Sequence, residues 1–352
     1  MKQTKTLRVR VKDNHSAQLR RMARSVNLVW NYVNELSERS IRERDVFLSA
    51  FDLQKYVQGV NQELGLHSHT PVQVCKEYAT RRKQFKRRRL AWRKSYGARR
   101  SLGWVPINTG MAQWKNGGVY HNGTVFKVWD SWGLADYKFR SSSFSEDARG
   151  LWYFNVVVEF EARPSEGAAS VGIDLGCKDA ATVSDGTKET GRWYRGIETD
   201  LATAQRARKK KRVAAIHAKA ANRRKDAMHK LSRKLVDANA AIFVGNVSSK
   251  AMSQTRNAKS ALDAGWGMLK TMLSYKCDHA GIVFEEVNEA FTTQRCSCCG
   301  VIPDSSPKGM GALGIREWEC GSCGAVHDRD VNAARNILAL GHERLAGGMP
   351  VL

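Results

Sequence analysis

Two short cysteine pairs constrain this chain more than any other feature. Cys296 and Cys299 form one Cys-x-x-Cys within CSCCG at 296–300, and Cys320 and Cys323 form the other within CGSCG at 320–324. Twenty residues separate the pairs. Two such turns at this spacing can aim four thiolates at the corners of a tetrahedron, the donor set that structural zinc takes. A closed four-thiolate site leaves no position open for chemistry. It therefore points to one structural zinc ion holding a small ribbon without a core of its own. Cys298 fits the spacing less well and reads as a bystander or a substitute ligand. Cys75, Cys177 and Cys277 are scattered. The opening MKQTKTLRVRVKD has no apolar h-region, and no apolar run approaches the roughly 18 residues of a membrane span. A cytoplasmic setting is expected, where clustered cysteines favour metal over disulfides.

Charge narrows the partner. Lys and Arg number 58 against 34 Asp and Glu, a formal net charge of +24. Such an excess repels itself in a folded chain and calls for a polyanion. A membrane surface would need a basic amphipathic anchor, and none is visible, so no membrane partner is expected. Residues 81–100 hold eleven basic side chains and no acid; residues 206–234 hold thirteen, with Asp226 the single acid. Apolar residues such as Phe85 and Trp92, or Ile216, Leu231 and Leu235, recur at helical spacing. Both blocks are therefore expected to be helices with one face toward phosphate. The candidate phosphate contacts are Arg81, Arg82, Arg87, Arg88 and Arg89 in the first block. In the second they are Lys209, Lys210, Lys211, Arg212, Arg223 and Arg224.

Periodicity supplies the frame. Leu7, Val9 and Val11 alternate with Arg8, Arg10 and Lys12, a strand. Leu19, Met22, Val26, Val29, Val33 and Leu36 make a helical apolar stripe, with more helix expected to about residue 97. Residues 103–161 turn to short alternating runs, as in VFKVWD and LWYFNVVVEFE. They predict an antiparallel sheet or barrel that takes in the first strand. RPSEGAAS at 163–170 reads as a linker. Beyond it, two strands at 171–186 and a third near 192–197 precede the basic helix. A short strand at 241–245, helix over 256–280, a strand at 281–289 and a helix at 331–340 follow. That order is an RNase H-like α/β succession.

Two further motifs bear on chemistry. Asp174 in GIDLG follows a buried strand and precedes glycine, an edge where a metal can bind or a turn can simply be capped. In HDRDVNAARNIL at 327–338, Asp328 or Asp330 can be the N-cap of the following helix or a functional carboxylate.

GIDLG, the basic stretch NRRKDAMHKLSRKL at 222–235, the paired Cys-x-x-Cys motifs and HDRDVNAARNIL occur in one order. In this the chain resembles the TnpB (OrfB) family, transposon-encoded relatives of type V CRISPR effectors, over about residues 171–340. The resemblance implies an α+β multidomain fold. Its RNase H-like (RuvC-type) α/β domain, at 171–289 and 327–345, carries the inserted four-cysteine zinc ribbon at 290–326. An N-terminal β-barrel wedge domain, at 1–15 and 101–165, carries a helical recognition insert at 16–100. It implies an RNA-guided DNA endonuclease associated with the bacterial nucleoid. The partners would be a guide RNA from the transposon end and double-stranded target DNA beside a short motif. Cutting would use three carboxylates and two magnesium ions. By motif position Asp174 is the first carboxylate and Asp330 the third.

The second is absent from its usual place. The family typically has Glu-Asp-Leu at the end of the fourth strand, and here Gly245 and Asn246 stand at those two positions. In an RNase H-like sheet the fourth strand lies between the first and the fifth, all three parallel, so their ends meet at one edge. Adjacent strands lie about 4.8 Å apart, so a carboxylate from the fifth strand can reach a metal served from the fourth. Glu289, at the end of FEEVNEAFTT, is the candidate for this relocated glutamate. Glu286 competes but alternation puts it on the opposite face. The alternative function is a nuclease-dead RNA-guided DNA-binding protein that blocks or regulates. A DNA-transposing enzyme lacks a separate end-recognition domain here. A plain basic zinc-ribbon protein of ribosomal style leaves Asp174 and Asp330 unaccounted for.

Overall fold

The alternation at the start of the chain does form a strand, β1 (Lys2–Val11), with Leu7, Val9 and Val11 buried. The computed structural model describes residues 2–252, 254–255 and 258–347, which divide into two compact units between Glu161 and Ala162. In the first unit, β1 is followed by α1 (Ser16–Arg44), α2 (Ala50–Lys55), α3 (Val60–Leu64) and α4 (His69–Phe85). Then come β2 (Trp104–Ile107), β3 (Gln113–Lys115), β4 (Gly118–His121), β5 (Thr124–Phe126), β6 (Val128–Trp129), β7 (Phe139–Glu146) and β8 (Trp152–Glu161). An antiparallel sheet runs in the order β2-β7-β8-β1-β6, and β3-β4-β5 form a second, smaller one. The first strand pairs with β8 from Lys2 opposite Glu161 to Arg10 opposite Tyr153. Strands and helices share one core, in which Val9, Phe144 and Phe154 join Leu19, Val26, Val33 and Tyr78.

The first basic block departs from the expected helix. α4 ends at Phe85, where Lys86 takes the left-handed backbone (φ 49°). Residues 86–103 have no helix or strand beyond it. The physical reason is a row of asparagines on one face of α1. Asn34 donates to Leu90 O (2.9 Å) and accepts from Leu90 N (3.1 Å). Asn31 does the same for Arg93 (2.9 and 2.8 Å), and Asn27 accepts from Arg93 Nε (2.6 Å). These side-chain amides satisfy backbone groups that a helix would have used. Arg82 also departs from the expected phosphate contact. It is 7% exposed, and its guanidinium donates to Ser37 Oγ and to Leu48 O (2.6 Å), so it braces α4 against its neighbours rather than facing phosphate.

The second unit opens with β9 (Ala169–Asp174), β10 (Asp179–Val183) and β11 (Lys188–Thr190). The third strand thus lies earlier than 192–197, where residues 195–197 form a 3-10 turn. α5 (Glu198–Arg206), α6 (Lys210–Ala238), β12 (Asn239–Gly245), α7 (Ser249–Met252), α8 (Ala258–Ala264), α9 (Trp266–Ala280) and β13 (Val283–Val287) follow. The hairpin β14 (Glu317–Glu319) and β15 (Val326–Asp328) leads into α10 (Arg329–Ala346). The sheet order is β11-β10-β9-β12-β13, with β9, β12 and β13 parallel and β10 antiparallel to β9. The middle strand, AIFVG at 241–245, is buried throughout, as a strand covered on both faces must be.

Helices cover both sides. Met228, Leu231 and Leu235 of α6 meet Leu269, Met272 and Leu273 of α9 in one core. On the other side α10 lies close against the sheet. A side chain at Gly172 of β9 would overlap the Ala334 carbonyl, and one at Gly341 of α10 would overlap the Phe243 ring. These two glycines let α10 approach, which fixes its N-terminal end near the end of β9. No helix among the described residues is long and apolar enough to cross a membrane.

Candidate metal centres

Parallel pairing brings three strand ends to one edge. Val244 pairs with Ile173 and Gly245 with Val287, so Asp174, Gly245 and the exit of β13 lie side by side. Glu289 follows two residues after β13. Its carboxylate fills the space a side chain at 245 would take: a Cβ there would overlap Oε2 and stand 3.3 Å from the Glu289 Cβ and carboxyl carbon. The Val247 N–H donates to this carboxylate, while Oε2 is buried with no hydrogen-bond partner. Burial pushes the Glu289 acid up, opposed by the Lys270 ammonium and the Val247 N–H. Lys270 Nζ in turn donates to Val247 O (3.0 Å) and pairs with Glu286 (2.6 Å). Glu286 is therefore committed to an ion pair. What sets Glu289 apart is the vacancy at Gly245, since it already lies beyond the alternating part of the strand.

The HDRD segment separates two roles that the sequence leaves open. Asp328 is the N-cap of α10: its Oδ1 accepts from the N–H of Asp330 and of Val331, both at 3.0 Å. Its Oδ2 pairs with Lys188 Nζ at 2.6 Å. Asp330, in the first turn of α10, is spared the capping role and meets Arg316 Nη1 at 2.9 and 3.2 Å. Asp174 registers the crowding. Burial first, then the charges of Asp330 and Glu289, push its acid up to about 7, with Arg329 opposing. The charges of Asp330 and Glu289 thus reach Asp174 from α10 and from beyond β13, although among the described residues only the four cysteines bring their ligand atoms within 4.8 Å of one another. Oxygen donors of this kind, one of them buried and unsatisfied, suit a hard divalent cation.

The four cysteines converge. Their Sγ atoms all lie within 4.8 Å of one another, with Cys296–Cys323 at 3.7 Å and Cys299–Cys320 at 3.8 Å. A tetrahedron of thiolates at the usual zinc–sulfur length has edges of about 3.8 Å. The cluster can therefore hold one metal ion. Cys296 and Cys320 are buried with Trp318, while Cys298 is exposed and outside the cluster. Sequence reasoning missed His327. Its Nε2 lies 3.0 Å from Cys296 Sγ and its ring rests on Trp318. Its place directly before the capping Asp328 was the available signal.

The basic candidates sort by what their charges already hold. Arg87, Arg88, Lys209, Lys210, Lys211, Arg212 and Arg223 are exposed, and Arg89 is exposed with Glu38 at 3.6 Å. Arg81 is exposed but paired with Glu77 at 2.6 Å. Arg224 is half-buried and donates to Leu262 O and to Asp263, fastening α6 to α8.

Residues 153–256 match the family model of a probable transposase, OrfB of the IS605 type, and residues 266–337 match the Cas12f1-like TNB domain. Over these two stretches the chain is similar to the TnpB (OrfB) family. It is 37% identical to a putative RNA-guided DNA endonuclease of Streptomyces pristinaespiralis, over 56% of this chain and 52% of that protein. It is 31% identical to the putative RNA-guided DNA endonuclease InsQ of Escherichia coli K12, over 56% of each. The chain thus spans about half the length of these curated relatives. The protein of a solved Cas12f1 complex with sgRNA and target DNA shares the fold of this chain. The TM-score is 0.57 at 13% identity, over 96% of this chain and 98% of that one.

Proposed function

We propose that this chain is an RNA-guided DNA endonuclease whose second carboxylate has moved from the end of the fourth strand to Glu289. One observation carries the reading: the Glu289 carboxylate occupies the space above Gly245, at the family's usual glutamate position. Its relatives bear the names of RNA-guided DNA endonucleases, and the partners proposed are theirs in kind. These are a guide RNA from the transposon end and double-stranded DNA beside a short motif. In this reading the second unit is the RuvC-type domain with its zinc ribbon. The first unit is the wedge barrel with its helical recognition insert.

Asp174, Glu289 and Asp330 would hold two magnesium ions, which when bound supply an activated water and stabilise the leaving oxygen of the phosphodiester. The chain's own part is preorganisation. The ends of β9 and β13 and the first turn of α10 would carry the three carboxylates to one edge, where their mutual repulsion would favour a cation. Cys296, Cys299, Cys320 and Cys323 would hold one structural zinc ion. Arg87, Arg88 and Arg89, with the exposed bases of α6, would neutralise phosphates while base pairing reads sequence.

The test is to purify the chain with RNA from its own locus and present matched DNA with magnesium. Cleavage is expected. Tight RNA-dependent binding without cleavage would make it a nuclease-dead blocker or regulator instead. Absence of both RNA and binding would overturn either reading.

A further inference from the structure

Relocating the second carboxylate has a mechanical consequence. Glu289 stands seven residues before Cys296, and Asp330 three residues after His327. Two of the three carboxylates therefore sit on the chain segments that enter and leave the ribbon, whereas a glutamate at 245 would be built on the sheet alone. Two buried asparagines join these segments. Asn332 and Asn336 are four apart on α10, so they share a face, and they are 1% and 5% exposed. Asn336 Nδ2 donates to Thr292 O (2.8 Å) and Arg295 O (2.7 Å). Asn332 Nδ2 donates to the same two carbonyls (3.2 and 2.8 Å), and its Oδ1 accepts from Ser297 N (2.8 Å). Thr292, itself 3% exposed, donates from Oγ1 (2.8 Å) and N (3.2 Å) to the carbonyl of Glu289.

We infer that Asn332 and Asn336 are positioning residues for Glu289, tying the thiolate ribbon and the carboxylate centre into one unit. The divalent affinity of the carboxylates then depends on the ribbon being folded around its metal. The inference rests on the proposal that Glu289 holds a divalent ion. The clamp works through hydrogen bonds in a dry site: without the Asn336 donors the two carbonyls keep only Asn332, and an acceptor placed against them loosens the 289–296 turn. Asn332 and Asn336 touch no reacting atom; they set where Glu289 stands.

The test titrates the full chain with Mn²⁺, reading the free ion by electron paramagnetic resonance, and counts zinc in the same samples. Asn336→Asp keeps the shape but removes both donors. It is expected to weaken Mn²⁺ binding about tenfold with zinc still at one per chain. Asn336→Ser, which keeps one donor, should fall between it and the parent, and Cys320→Ser, which loses zinc, should weaken Mn²⁺ as well. Parental Mn²⁺ affinity in Asn336→Asp overturns the inference. If that variant loses zinc, the serine variant decides: zinc kept with weakened Mn²⁺ supports the clamp, and zinc kept with parental Mn²⁺ overturns it. Glu289→Ala separates the two levels. Parental Mn²⁺ affinity there overturns the proposed relocation itself. Weakened affinity there beside a parental Asn336→Asp removes only the clamp.

Discussion

Lys270 donates to the carbonyl of Val247 at 3.0 Å, and the N–H of that same Val247 serves the Glu289 carboxylate. One peptide segment thus passes the restraint of α9 to the end of β13. The Lys270 side chain is 12% exposed, so its ammonium is sheltered enough to matter electrostatically.

Replacing Lys270 by Met should loosen this cradle and remove the charge that lowers the Glu289 acid. The magnesium concentration for half-maximal cleavage should rise about tenfold, as for other residues that support metal ligands. RNA-guided DNA binding should stay within twofold on the same order-of-magnitude scale. Cleavage over a magnesium titration, beside a binding assay in calcium, checks both.

Asp174 makes the metal-free chain pH-sensitive in an unusual direction. Its acid is raised from an ordinary 3.8 to about 7. Between those values the unfolded chain has released this proton while the folded chain keeps it. Stability from this group therefore falls as pH rises through the window and is unaffected below it. Asp174→Asn should abolish that slope in denaturant melts run from pH 4 to 8. A divalent ion takes the deprotonated form, so Mn²⁺ affinity should drop as pH falls below about 7, and an affinity flat over that range would contradict the assignment.

The thiolate cluster should carry one zinc per chain. Cys320→Ser should lose it and raise hydrogen exchange across residues 290–326, because the small core of Cys296, Trp318 and Cys320 cannot hold the ribbon alone. Cys298→Ser should keep the metal. A zinc-free parent by elemental analysis would refute both expectations.

Reversing the charge of Arg87, Arg88 and Arg89 together should weaken RNA binding to all sequences about equally and flatten its salt dependence. Reversing Arg82 should unfold its surroundings instead, since its guanidinium is buried against Ser37 and Leu48. Binding isotherms at several salt concentrations, with a melt of each variant, tell the two apart.

What could be read in advance followed from periodicity and spacing. The alternation of Leu7, Val9 and Val11, the apolar run at 241–245 and the doubled Cys-x-x-Cys are local patterns, and local geometry answers to them. The loop at 86–103 was misread because its structure is decided from outside. Asn27, Asn31 and Asn34 lie about 60 residues away, and polar residues on a helix stripe carry no sign of what they bind. Arg82 was indistinguishable from Arg81 for the same reason. Asp328 and Asp330 were equal candidates for the cap until the backbone N–H groups were placed. Glu289 was legible as a candidate from its place at the end of the fifth strand, but that its carboxylate fills the space above Gly245 is a fact of three dimensions.

The most direct measurement exchanges the two positions. In a cleavage assay at saturating magnesium, Glu289→Ala should abolish cutting while RNA-guided DNA binding persists. Adding Gly245→Glu to Glu289→Ala fills the vacated space from the fourth strand and should restore cutting to within about tenfold of the parent. Gly245→Glu alone should cut poorly, because two carboxylates would compete for one volume. Cutting by Glu289→Ala at the parental rate would contradict the relocation outright.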